Sequence, residues 1–314
     1  MTSNSSGADC LPAGVPYASV DVVVSSMYFC IFPIALFLNG VAAWICVQLG
    51  STSSFVVYLK HLVAADLLVT LTIPLKAASD LPGAAVSLKA FACRYSDVIF
   101  YTSLYTSIGL MGLISLDRFF KIVRPGGKSP GQSLVFSHAM AACVWVVLFG
   151  GTAVPTVVLT DRKPGNATAG GGDLCMSMKG PAGLALHQHV ILFVDAFFWG
   201  VSVVIVVCYA CITQKIVASF RNSGSSNSRG KRTTRLRVFL VLLVFFVCFM
   251  PLHMMRIPIS QRETQTSACT EGQWMDVAYD VALWLSTTNV CLDPLLYIYL
   301  CREFREKLNS LVAF

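Results

Sequence analysis

The fold class this sequence predicts is all-α, a seven-transmembrane helix bundle with a short amphipathic eighth helix, and three observations predict it. Of the 314 residues, 55% are hydrophobic and only 12% charged, and a mean hydropathy of +0.69 is too apolar for soluble domains of this length. Apolar segments at 24–49, 54–81, 90–123, 135–159, 185–219, 233–260 and 273–300 are each long enough to cross a bilayer. Lysine and arginine divide unevenly between alternate loops, with fifteen on one side against three acids and eight on the other against eleven. Basic residues stay on the cytoplasmic side during insertion, so the expectation is a multi-pass plasma-membrane protein with its amino terminus outside and its carboxy terminus inside. The chain then divides into an outer terminus at 1–23, the membrane domain at 24–300 and an amphipathic cytoplasmic segment at 301–314.

Residues 1–20 are polar and have no basic stretch followed by an apolar run, so the first helix is expected to serve as its own insertion signal. The sequons at Asn4 and Asn166 both fall on the outer side, where glycosylation is chemically open. Of twelve cysteines, Cys10, Cys93, Cys175 and Cys269 lie near that face, and four cysteines allow three pairings. Cys93 with Cys175 would tie the second outer loop to the third helix, leaving Cys10 with Cys269 to join the terminus to the third outer loop.

The first helix carries Asn39-Gly40 and the second carries Asp66, an ionisable group at mid-depth. Such a group is expensive in a bilayer and reads either as a functional site or as a polar knot between helices; one network can be both. Pro74 and Lys76 follow, and Lys76 either snorkels to the lipid headgroups or points into a central cavity. The third helix is the expected central post: Cys93 stands at its outer end, Asp117-Arg118-Phe119 at its inner end, and Tyr101, Tyr105 and Ser107 between. Trp145 and Pro155 mark the fourth helix. A loop running through Gly170-Gly171-Gly172 reads as a lid pinned at Cys175, with Lys179 and His187 just after it. The fifth helix carries Asp195, Trp199 and Tyr209, and the basic loop after it suits acidic lipid or a partner.

The sixth helix has a proline break at Pro251 and then places His253 and Arg256 three apart on one face. That pair either snorkels or faces a cavity. The seventh ends in Asn289-Val290-Cys291-Leu292-Asp293-Pro294, a second proline-broken segment with a charge at depth. Residues 301–308 are amphipathic and fit a helix on the inner leaflet, with Cys301 either acylated or a plain thiol.

Taken as a set, Asn39, Leu62 to Asp66, Asp117-Arg118-Phe119, Trp145, Cys248-Phe249-Met250-Pro251 and Asp293-Pro294-Leu295-Leu296-Tyr297 resemble the rhodopsin-like G-protein-coupled receptors over nearly the whole chain. Tyr58-Leu59-Lys60, Leu75-Lys76, Val98-Ile99-Phe100-Tyr101 and Arg256-Ile257-Pro258 look like the purinergic nucleotide receptors, in the Gi-coupled branch for ADP or UDP-sugars. The resemblance implies an outer site for an anionic nucleotide-like ligand, with Lys179, His187, His253 and Arg256 as phosphate donors and Tyr101 and Tyr105 as the shelf for the base. The chain departs from that branch at Tyr279-Asp280, where a Lys-Glu pair is usual, and at Ile259, Ile191 and Asp195. Exchanging a cation for a phenol removes a charge-assisted hydrogen bond worth about 1.5 to 3 kcal/mol, so a less charged nucleotide sugar or a lysophospholipid competes as ligand.

The same resemblance makes Arg118 the residue that meets a G protein, with Asp117 holding it at rest. Lys231 and Arg235 open the sixth helix without an acid to restrain Arg118, which predicts raised ligand-free signalling. Asp66, Ser107, Asn289 and Asp293 match the superfamily's sodium site, to be filled by an allosteric sodium ion or by a polar network without one. No other cofactor is expected, no nucleic acid, and no enzyme: metal-ligand spacing, nucleophile elbow and phosphate loop are all missing from the sequence. A retinal pigment is excluded by the lack of lysine between Gln273 and Leu300. A secondary transporter using Asp66 and Asp293 is the rival class, and the lack of an inverted repeat weighs against it.

Overall fold

The computed structural model describes residues 17–51, 53–124, 133–163, 171–222, 228–264 and 271–312. Asn4, Cys10, Asn166 and Cys269 lie outside them, and with them both sequons and the second cysteine pairing.

The helices are α1 (Tyr17–Gln48), α2 (Ser54–Asp80), α3 (Val86–Val123), α4 (Leu134–Leu159), α5 (Pro181–Asn222), α6 (Ser228–Thr264), α7 (Trp274–Tyr299) and α8 (Arg302–Val312). Among the described residues seven helices are long and apolar enough to cross a membrane, and they coincide with the apolar segments of the sequence. A short helix, Gly171–Ser177, stands in the connection between α4 and α5.

The third helix is central, as its sequence suggests: α3 packs against α2, α4 and α5, and Phe100, Leu104, Ile108 and Leu110 along it are fully buried. It can approach α5 closely because Gly112 has no Cβ; one placed there would lie 2.9 Å from Val201. In contrast α4 turns Val135 and Val146 outward, as a lipid-facing helix should. Pro155 has no N–H for the carbonyl one turn earlier, and the preceding stretch, Val146–Ala153, winds in wider π turns.

The proline break in α7 leaves a carbonyl that a side chain on a neighbouring helix satisfies. Pro294 cannot donate to Val290, and the Asn39 amide on α1 donates to that carbonyl at 2.7 Å instead. Beside the Pro251 break of α6, the Cys248 carbonyl accepts the Ser286 hydroxyl of α7 at 2.7 Å. A buried carbonyl without a partner is costly in hydrocarbon, so these contacts fix α1 and α6 against α7. At the far end of α1 the Lys60 ammonium donates to the Leu49 carbonyl at 2.7 Å and to Ser51. Beyond α7, Phe304 of α8 is buried edge-on to Tyr297, while Arg302 and Glu306 pair at 2.6 Å on the exposed face.

Candidate functional site: a charged cavity and two polar clusters below it

At the end of the bundle where Cys93 of α3 is disulfide-bonded to Cys175, a cavity of about 610 Å³ opens among all seven helices, α1 to α7. The disulfide sits in its wall and brings Met176 and Lys179 against it. Four of the six sequence-predicted ligand residues line it: Tyr101, Lys179, His187 and Arg256. The Lys179 ammonium is 3.1 Å from His187 Nδ1. Arg256 is held from two sides, its guanidinium 4.9 Å from the centre of the Tyr101 ring and its Nη1 donating to the Tyr279 hydroxyl at 3.3 Å. The Tyr101 and Tyr279 hydroxyls are 3.4 Å apart. The phenol that stands where the sequence pattern suggests a cation therefore orients the cation that remains.

Tyr105 and His253 are not in the cavity wall. They lie beneath it, ring edge to ring face at 5.5 Å, with His253 stacked on Phe198 of α5 at 3.6 Å and its Nδ1 donating to the Phe249 carbonyl at 2.7 Å. Arg256, 5.7 Å from the Tyr105 ring, connects this aromatic layer to the cavity.

Lys76, for which lipid and cavity were both open, lines the cavity and forms an ion pair with Asp80 at 3.1 Å. Asp21, Asp80, Asp97 and Asp280 also line it. Sequence reasoning missed this acidic wall because its members come from four helices, spaced with no local pattern; the surplus of acids on that side of the charge count was the available signal.

Deeper in the bundle, Asp66, Ser107, Asn289 and Asp293 are all buried. Ser107 donates to Asp66 Oδ1 at 2.8 Å, Asn289 donates to Asp293 Oδ2 at 2.7 Å, and Tyr297 donates to Asp66 Oδ2 at 2.7 Å. Tyr297 belongs to the quoted motif but had no assigned role. Each Asp66 oxygen accepts one hydroxyl proton and keeps a second lone pair, so a cation placed beside it would share the carboxylate with Ser107 and Tyr297.

At the opposite end, Asp117 Oδ2 takes the Lys121 ammonium at 2.8 Å, and the Arg118 guanidinium lies 4.0 Å from the centre of the Phe55 ring on α2. Phe55 was not singled out by sequence, since a phenylalanine opening an apolar helix carries no distinguishing pattern.

Residues 39–297 match the family described as 7 transmembrane receptor (rhodopsin family). Among curated relatives, the chain is 38% identical to purinoceptor 13 of Homo sapiens, over 92% of this chain and 81% of that one. It is 37% identical to purinoceptor 14 of Bos taurus, over 91% and 84%, and 35% identical to G-protein coupled receptor 87 of Mus musculus, over 91% and 79%. A seven-helix bundle, the disulfide at the mouth of its cavity and these matches over most of the chain agree: it belongs to the rhodopsin family of G-protein-coupled receptors, in the purinoceptor-like group, and is a receptor rather than an enzyme.

Proposed function

We propose that this receptor binds an extracellular anionic ligand, a nucleotide or nucleotide sugar of the ADP or UDP-sugar kind, and signals to a Gi-type heterotrimeric G protein. The observation that carries the reading is the convergence of Lys179, His187 and Arg256 with the Tyr101 ring in one cavity. A lysine from the loop and an arginine from α6 can hold phosphate oxygens, with the His187 imidazole accepting from the Lys179 ammonium and orienting it, while the ring supports a base. The relatives named purinoceptor support the class of ligand. The basic loops at the opposite end support an inner G-protein face and an outer cavity, with Asp117 and Arg118 at that inner face.

In cells expressing the chain, ADP, UDP-sugars and lysophospholipids should be compared by suppression of cAMP, with Lys179→Ala and Arg256→Ala alongside. Each variant should lower nucleotide potency by about one to two decades, the loss of one charge-assisted hydrogen bond. Nucleotides as potent on both variants as on the unaltered chain, or a response to lysophospholipid alone, would overturn the assignment.

A further inference from the structure

Among the described residues, the cavity that holds the proposed anion site is lined by as many carboxylates as lysines and arginines, and all four carboxylates come from α1, α2, α3 and α7. Lys179, His187 and Arg256 stand on the side of the disulfide loop, α5 and α6. Asp21 of α1, Asp80 of α2, Asp97 of α3 and Asp280 of α7 line it with only Lys76 and Lys89 among them. Asp280 interacts electrostatically with Lys76, Asp80 and Asp21, and Asp97 with Lys76 and Asp80, so these carboxylates form one cluster. Lys76 is already committed to Asp80 at 3.1 Å.

A second observation in the same wall points to a ligand. Ser25, one helical turn after Asp21 and on the same face of α1, lines the cavity while only 1% exposed, and its hydroxyl makes no hydrogen bond. Its neighbour Ser26 takes the usual course and donates to the carbonyl four residues back. A buried hydroxyl without a partner is unfavourable unless an occupant supplies one.

We propose that the α1–α2–α7 side of the cavity is a subsite for an ammonium group, so that the ligand carries an amine as well as its anionic head. The amine N–H groups meet Asp21, Asp280 and the Ser25 hydroxyl while Lys179 and Arg256 hold the anion. A dianion alone leaves four carboxylates facing two lysines on the acidic wall; a ligand with both charges matches both walls. This deepens the nucleotide reading and rests on its placement of the anion.

The test has two arms on the purified full chain. In the first, Ser25→Cys and His187→Cys are introduced after the exposed Cys30 and Cys143 are changed to serine. Their reaction rates are measured with a cationic trimethylammonium-ethyl and an anionic sulfonato-ethyl methanethiosulfonate. Relative to a free thiol, the cationic reagent should gain at least tenfold at Ser25→Cys and lose at His187→Cys, and the gain should vanish with Asp21→Asn and Asp280→Asn added. No gain, or no reaction at Ser25→Cys, overturns the subsite whatever the anion is.

In the second arm, UDP-glucosamine is compared with UDP-glucose by thermal stabilisation. These differ by an ammonium in place of a hydroxyl, and the amine should act at least tenfold lower in concentration, an advantage lost in Asp280→Asn. Equal action of the two overturns the proposal. If neither nucleotide stabilises the chain while the reagent polarity holds, the nucleotide reading falls and the ammonium subsite stands.

Discussion

Tyr297 is one of two hydroxyl donors that meet a carboxylate buried in the bundle. Asp66 accepts one hydroxyl from Ser107 and one from Tyr297, so its charge is met by protein dipoles from α3 and α7. A hydrogen bond to a charged group is worth about 1.5 to 3 kcal/mol. Removing the phenol oxygen should therefore cost stability and expose a carboxylate oxygen to a cation. We expect the melting temperature of the unaltered chain to be the same in sodium chloride and in N-methylglucamine chloride, whereas Tyr297→Phe melts lower in the organic salt and recovers with sodium. A sodium-dependent rise in the unaltered chain would refute this. The grouping of Asp66 with Ser107, Asn289 and Asp293 rests on the resemblance to the superfamily's sodium site. It could not choose Tyr297, since a tyrosine near a helix end can point in several directions and only packing selects one. Asn39 is the complementary case: its place one helix away from a proline-freed carbonyl gives a polar residue in an apolar run a defined task.

At the scale of elements, close approach decides where helices sit. A Cβ on Gly183, at the start of α5, would lie 2.7 Å from the backbone oxygen of Leu159 at the end of α4. Backbone cannot swing aside as a side chain can, so Gly183→Ala should push the two helix ends apart. Overpacking of this kind costs about 1 to 3 kcal/mol; the measurement is the thermal midpoint of the purified chain, which should fall. The eighth helix makes a second case. Its amphipathic pattern was plain in sequence, but the state of Cys301 was not, because acylation depends on exposure. The structure buries Cys301, its sulfur accepts from the Phe304 backbone, and burial pushes the thiol above its ordinary value. Less thiolate and less access both slow attack on an electrophile. Iodoacetamide near neutral pH should leave Cys301 unlabelled in the native chain and label it after denaturation; native labelling would place the thiol at the surface.

For the whole molecule, hydropathy and charge sufficed to give seven spans, because lipid forces every crossing segment to satisfy its own backbone, and Cys93 with Asp117-Arg118-Phe119 at opposite ends of one helix marked the central third. The candidate site was half legible: cations near a helix end and a pinned loop stand out, whereas an acidic wall assembled from four helices does not. The same separation of local from assembled features governs signalling. One buried apolar cluster lies around the aromatic layer beneath the cavity, another around Tyr58, Leu62 and Tyr297 toward the opposite end, and Met111 of α3 packs against both. A ligand can bias the far end only by favouring one packing of these clusters over another. At that end the Arg118 guanidinium rests on the Phe55 ring, a contact worth about 0.5 to 2 kcal/mol. Phe55→Leu keeps the apolar bulk of the buried site and removes the ring face. If that contact restrains Arg118, its loss shifts the resting equilibrium by about 1 kcal/mol, roughly fivefold. Ligand-free nucleotide exchange on a Gi-type protein should then rise severalfold in Phe55→Leu and disappear when Arg118→Ala is added, and an unchanged ligand-free rate in Phe55→Leu would mean that the restraint lies with Asp117 and Lys121 instead.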